Sequence, residues 1–260
     1  MTMRVSAAIW AIFGAAVVLF MLTPMVLLVL FSFGRNALTA FPMGGLTLDW
    51  YRKLLANDTF WGAAENSAII AACVAVISTV IGTMAALLLS RMPERVSGPL
   101  LLQLRAPVML PSLFVGVALM SFLRLVLDVE LGLPTVILGH LVITQPFVIL
   151  IVHARMVGFD HALVESARDL GASPLQAFFT VTLPIVRATI VGAALIAVAV
   201  SLDDFIITFF TIGSGNTIPT LVWSMVRTSL DPSINASATI LIALTMGMTV
   251  LALHFSRYRG

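Results

Sequence analysis

Residues 153–187 read HARMVGFDHALVESARDLGASPLQAFFTVTLPIVR and lie between two apolar runs, 135–152 and 188–213. Asp160 is a good helix N-cap, because its carboxylate accepts one of the unpaired N–H groups of a first turn, and the spacing predicts a helix beginning at His161. Leu163, Ala167 and Leu170 recur at steps of four and three and share one side of that helix. Glu165, Arg168 and Asp169 fall largely elsewhere on it. Gly171 supplies a C-terminal stop. Ser173 with Pro174 reads as the N-cap and first-turn proline of a second short helix. That helix is expected to run through Phe178 and Phe179 and to end near Leu183 and Pro184. A helix–turn–helix of this size is too small to be a domain. It is either a knob held in a partner's groove or an amphipathic loop resting on lipid headgroups.

The surrounding chain fixes its setting. Of 260 residues, 60% are hydrophobic and 10% charged, and the mean hydropathy is +1.09. Soluble domains are usually about half apolar and a quarter charged. This composition excludes an ordinary soluble enzyme, a disordered chain and a disulfide scaffold. It points to an all-α polytopic membrane protein whose exterior is covered by lipid. The net charge of +2 is spread thinly, without a basic run, so nucleic acid is not an expected partner. Cys73, the sole cysteine, reads as a small buried hydrophobe. Lys53 is the sole lysine and stands between Arg52 and Leu54. A phosphate-binding loop G-x-x-x-x-G-K-[ST] therefore has no place here. His140, His153, His161 and His254 form no short-spaced metal motif. No catalytic residue, metal site or cofactor is expected in the chain.

A spanning helix needs about 20 mostly apolar residues. Six stretches qualify or nearly do: 7–33, 67–90, 106–123, 135–152, 188–213 and 236–255. They are read as one transmembrane domain over residues 1–260. The first run is too long for a signal peptide and no small-x-small cleavage site follows it, so it reads as a retained span. Pro111 and Pro146 suggest kinks in the third and fourth spans. With six spans the termini share a side. That side carries Arg4, Arg91, Arg95, Arg105, Arg155, Arg168, Arg187, Arg257 and Arg259 against Arg35, Arg52, Lys53, Arg124 and Arg227 on the other, nine against five. The positive-inside rule then puts both termini, and residues 153–187, in the cytoplasm. Two long loops face outward. Residues 34–66 hold Trp50, Tyr51 and Trp61, as an interfacial segment does. In residues 214–235, Ile218, Leu221, Val222 and Met225 repeat at helical spacing beside Trp223, which predicts a short amphipathic helix at the membrane surface.

Glu165-Ser-Ala-Arg-Asp-Leu-Gly171-Ala-Ser-Pro, followed by Thr-Leu183-Pro184, resembles the EAA loop of permease subunits of bacterial ABC importers. That pattern reads E-A-A-x-x-x-G, then about nine residues, then I-x-L-P. Ser166 stands for the alanine at its second position and Val181 for its isoleucine, while Glu165, Ala167, Gly171, Leu183 and Pro184 match. The resemblance extends to the six-span layout and to Trp50-Tyr51 before the second span. It implies that the loop is a coupling helix seated in a separate ATPase subunit, with Glu165, Ala167, Asp169, Leu170, Gly171, Ala172, Leu183 and Pro184 as coupling residues. Gly171 would allow the tight turn and close approach, and Glu165 would anchor the helix by polar contacts. It implies an ATPase dimer that binds ATP and Mg, a second related permease, a periplasmic binding protein and a bacterial inner-membrane location. The absent phosphate-binding loop agrees with an energy source on another chain.

Asp203 and Asp204 sit within the fifth apolar run. Fifteen residues past Ala188, Asp203 stands about 22 Å along a straight helix, in the outer half of the bilayer. Acidic residues there are costly and suggest function. Neighbours point about 100° apart, so both cannot face one pathway equally. Either one or both attract a cationic solute, or they are structural, capping a broken helix or pairing with Arg227 or Arg124. SLDDFIITFF followed by IGSGNTIPTLVWSMVR is similar to the permeases of spermidine/putrescine importers, which implies a polyamine and a pathway role for Asp203 and Asp204. Another small solute carried by the same class of importer is one alternative. A carrier driven by ion gradients, coupled through these acids, is another. His140 and Gln145 either line the pathway or hydrogen-bond between helices.

Overall fold

Lipid offers no hydrogen bonds, so a spanning backbone must close its own, and helices do this. The computed structural model describes residues 2–36, 41–228 and 231–257, with side chains at 9–36, 41–228 and 231–255. Arg259 lies outside the described residues, and Arg4 and Arg257 outside the described side chains. In chain order the helices are α1 (Thr2–Ser32), α2 (Asp49–Leu55), α3 (Asp58–Leu89), α4 (Glu94–Met109), α5 (Ser112–Ser121), α6 (Leu133–Val157), α7 (Ala162–Asp169), α8 (Pro174–Ala177), α9 (Leu183–Asp203), α10 (Ile206–Thr211), α11 (Ile218–Thr228) and α12 (Ser233–Arg257). Wide π turns follow α5 at Phe122–Val126 and α8 at Phe178–Thr182. Among the described residues five helices are long and apolar enough to cross a bilayer, and a sixth candidate is a bent pair.

Four differences from the sequence expectation have local causes. The third span is not a kinked rod over 106–123. Glu94–Met109 and Ser112–Val126 meet at 93°, because Leu110 is extended ahead of Pro111 and a residue before proline is pushed out of the helical region. The second span begins at Asp58 rather than 67, where Asn57 Oδ1 accepts the Thr59 N–H at 2.9 Å and caps it. The helix after Ser173 does not end at Pro184 but continues as one 30-residue helix, Pro174–Asp203. Pro184 has no N–H to give to the preceding turn. The π turn just before it takes up the mismatch, with Leu183 N–H reaching back to the Phe178 carbonyl. Finally, the fifth span does not run through to 213. It stops at Asp203 and restarts at Ile206. The fourth span holds Pro146 within the single helix α6, and the amphipathic helix expected in 214–235 is α11.

The chain divides into two compact units. The first comprises Met1–Trp61 and Leu221–Ile242. Every described side chain of α1 from Ile9 to Val26 is exposed, as suits a surface covered by lipid or another chain. After α1 the chain turns back through a single bridge between Gly34 and Leu46. Trp50 Nε1 donates to the Gly34 carbonyl at 2.7 Å, and the Tyr51 hydroxyl pairs with Ser32 at 2.7 Å. Lys53 on α2 forms an ion pair with Asp231, which also accepts the Ser233 N–H at 2.9 Å and so caps α12. Partial burial alone would raise the Asp231 carboxyl, but the Lys53 ammonium and the Ser233 hydrogen bonds outweigh it and hold it below the usual carboxylate range.

The second unit, Gly62–Thr220 with Ala243–Gly260, holds the main core. Ala86 and Leu89 of α3, Leu101 of α4, Val148, Val152 and Met156 of α6, and Val186, Ala193 and Ala197 of α9 form one buried cluster. A second joins Ile70 and Val74 of α3 to Val136 of α6 and Ile212. Inside a membrane, helix contact is driven by close packing more than by water exclusion, so small residues mark it. A Cβ on Gly139 would meet Ile207 Cγ2 at 2.5 Å and Leu119 Cδ2 at 3.0 Å, so α6 can approach α10 only with glycine here. We expect Gly139→Ala to destabilise the detergent-solubilised protein by about 1–3 kcal/mol, the cost of overpacking, seen as a lowered Tm. Gly98→Ala on α4, with no atom within 4 Å, should leave the Tm unchanged or slightly raised.

Candidate functional site

Residues 153–187 form a capped pair of helices. Asp160 Oδ1 accepts the Ala162 N–H at 3.0 Å, so α7 starts one residue later than His161. Its end is a Schellman turn: Ala172 N–H reaches the Ala167 carbonyl at 3.1 Å and Gly171 N–H the Arg168 carbonyl at 2.9 Å. Gly171 has φ +93° with no atom within 4 Å of a would-be Cβ, so it is required by backbone conformation and not by space within this chain. The next helix starts with a reciprocal cap, Ser173 N–H to Gln176 Oε1 at 2.8 Å and Gln176 N–H to Ser173 Oγ at 3.3 Å.

The pair presents its apolar residues outward. Leu170 is 90% exposed, Leu175 69%, Phe179 59% and Leu163 47%. Its seat is Ala177, fully buried, with Val164 half-buried against the main core. Val164 is the residue sequence reasoning passed over; it lies one step from the Leu163–Ala167–Leu170 side. Glu165, Asp169, Gly171 and Pro184 are exposed, while Ala167, Ala172 and Leu183 are half-buried. Glu165 and Arg168 line a cleft of about 390 Å³ with Ser90, Arg91, His161 and Val164.

The second site is the break after α9. Asp204 is extended, and its Oδ1 accepts the Ile207 and Thr208 N–H groups at 2.9 and 3.2 Å, capping α10. The same oxygen lies 3.5 Å from His140 Nε2. Asp203, the last residue of α9, is exposed and makes no hydrogen bond or ion pair among the described residues. The two acids are thus separated, Asp204 turned into the protein and Asp203 out of it. Arg124 lies 3.7 Å from Asp128, and Arg227 stacks over Trp223 at 5.9 Å. His140 is buried and bridges helices: Nδ1 pairs with Ser201 and Nε2 with Thr208, each at 2.8 Å. Gln145 Oε1 is buried without a hydrogen-bond partner among the described residues. Sequence reasoning missed Ser201 and Thr208. The signal for Thr208 was its place four residues after Asp204, within reach of a capping carboxylate.

Comparison with known proteins adds four findings. The family described as binding-protein-dependent transport system inner membrane component matches residues 78–258. The putrescine transport system permease protein PotI of Escherichia coli K12 is 35% identical over 86% of this chain and 82% of its own. The spermidine/putrescine transport system permease protein PotC of Haemophilus influenzae is 32% identical over 90% of this chain and 91% of its own. Among solved structures, a chain of a bacterial alginate ABC transporter, crystallised with a periplasmic protein bound to an alginate pentasaccharide, superposes with a TM-score of 0.71. It covers 98% of this chain and 95% of its own at 15% identity, which speaks to the fold alone.

The turn at Gly171 gives a direct test. Gly171→Ala should destabilise the purified chain by about 1–2 kcal/mol, the cost of a left-handed non-glycine residue. Gly158→Ala, at φ −95° with open space around it, should be neutral or stabilising by up to about 1 kcal/mol. Thermal unfolding of both variants reads the difference.

Proposed function

Since the chain belongs to the family of binding-protein-dependent transport system inner membrane components, we propose that it is the permease subunit of an ATP-driven polyamine importer. As a member of that family it is a transport component and not an enzyme. The observation that carries the coupling role is the capped pair α7–α8 with Leu163, Leu170, Leu175 and Phe179 turned outward. A loop resting on headgroups needs no such fixed frame, whereas a groove on another protein does. The partner we assign to it is an ATPase subunit, because the chain has no lysine in a phosphate-binding loop of its own. ATP and Mg are then bound there and not here. Two such ATPases, a second related permease and a periplasmic binding protein complete the transporter. Nine of the fourteen basic residues fall on the side of the knob in the six-span reading, which supports cytoplasmic termini.

The cargo follows from the 35% identity to a putrescine permease and from the free carboxylate of Asp203. A polyamine is a flexible polycation. A carboxyl side chain at the end of a broken helix meets it together with the negative end of the α9 dipole. Asp204 is occupied by its cap, so we assign the pathway charge to Asp203.

Two outcomes are expected. Tagged chain should recover the ATPase from membranes, and Leu170→Asp should cut that recovery roughly tenfold or more, the worth of one buried leucine in an interface. Leu170 is 90% exposed in the chain, so its replacement should not lower the amount of permease in the membrane. Undiminished recovery would remove the docking role. Second, Asp203→Asn should raise the KM for labelled putrescine or spermidine by about tenfold, the loss of one charge contact. Unchanged uptake would remove Asp203 from the pathway.

A further inference from the structure

His140 is a full-sized polar ring with 1% exposure, set in a spanning helix. A polar group at such depth is retained only where partners satisfy it. It has partners on both sides of the break between α9 and α10. Nδ1 lies 2.8 Å from Ser201 Oγ in the last turn of α9, and Nε2 lies 2.8 Å from Thr208 Oγ1 in α10. Nε2 also stands 3.5 Å from Asp204 Oδ1, the oxygen that caps α10. The direction of one bond is set by the network. Thr208 Oγ1 donates its hydrogen to the Asp204 carbonyl at 3.0 Å, so it accepts from His140, and Nε2 carries the proton. One turn on, Thr144 Oγ1 donates to the His140 main-chain carbonyl at 2.8 Å, and Ser78 of α3 donates to Thr144 at 2.7 Å.

We propose that His140 is a positioning residue that clasps the two ends of the broken helix and so fixes where the Asp203 carboxylate stands. Within the break itself, the Asp204 cap and the Thr208 bond to the Asp204 carbonyl tie Asp204 to α10, and neither reaches back into α9. Without the ring, the Ser201 hydroxyl would turn to a carbonyl of its own helix, as such hydroxyls do in membranes, while Thr208 would keep its bond to the Asp204 carbonyl and lose its link to α6. The end of α9 would then be free to move relative to α10. Asp203 is the terminal residue of α9, two residues from Ser201. Whatever holds Ser201 holds Asp203. Neither His140 nor Thr208 need touch the cargo to decide how well it is met.

The inference rests on Asp203 carrying the pathway charge, and the test separates the two. The assembled transporter, in proteoliposomes with its ATPase and binding protein, takes up labelled putrescine. His140→Leu, near the ring in volume, should raise KM about tenfold, and Thr208→Val, which at near-equal volume removes both the acceptor for Nε2 and the donor to the Asp204 carbonyl, should raise it about threefold or more. His140→Gln, whose amide offers a donor and an acceptor, should return KM to within about threefold of the parent protein, which a role in filling space would not require. In an Asp203→Asn background, His140→Leu should add less than about twofold, because both changes remove one interaction. If Asp203→Asn alone leaves KM unchanged, both the pathway reading and this inference fall. If Asp203→Asn raises KM but the His140→Leu effect remains tenfold on top of it, this inference alone falls. Unchanged KM in both His140→Leu and Thr208→Val overturns it as well, and Thr208→Val decides the matter should His140→Leu fail to insert.

Discussion

A helix interrupted inside a bilayer exposes N–H and C=O groups that lipid will not take. The chain interrupts itself after Asp203, and the Asp204 carboxylate takes the N–H groups of Ile207 and Thr208, the second and third residues of the restarted helix. Other polar and close contacts of the second unit gather around that cap. Gly139 lets α6 close on Ile207, Thr135 on α6 donates to the Thr211 carbonyl at 2.7 Å at the end of α10, and His140 lies between. Several polar residues of these spans are thus gathered where the backbone is open. The same need explains why the other break, before Pro111, can be so sharp: proline has no N–H to leave behind.

Charge in this protein is sparse, and several of its acids have a definable task. Asp231 holds Lys53 and caps α12. Asp160 and Asp204 cap α7 and α10. Asp203 alone of these stands exposed and unengaged among the described residues, which is why the function is read from it. The knob shows the converse pattern. Asp160, Ser173 and Gln176 are spent on caps, and its leucines are left outward, as on a surface made to be covered.

The spans were legible because hydropathy averages over a window and lipid rewards the sum. Helix ends were not, since His153 to Val157 and Asp58 to Asn66 are helical although polar. Hydropathy marks the bilayer, and caps mark the helix. The caps at Asp160, Ser173 and Gly171 could be read because capping is local chemistry. The separate fates of Asp203 and Asp204 could not be. Both sit in an apolar run with the same periodicity, and only the 2.9 Å bond to Ile207 N–H tells them apart. Pro184 misled for a related reason. Proline forbids one hydrogen bond, and the chain avoided the loss with a π turn that leaves no trace in composition.

That π turn makes the helix from Pro174 to Asp203 one continuous piece. At 1.5 Å per residue its thirty residues form a rod about 45 Å long. One end begins in the exposed knob and the other ends in the free carboxylate. A rigid rod transmits tilt without loss: about 10° at the knob end sweeps the far end through about 8 Å, more than the length of a one-turn helical shift. No loop intervenes to absorb the stroke. In the proposed transporter, a single element therefore joins the docking surface to the carboxylate assigned to the pathway.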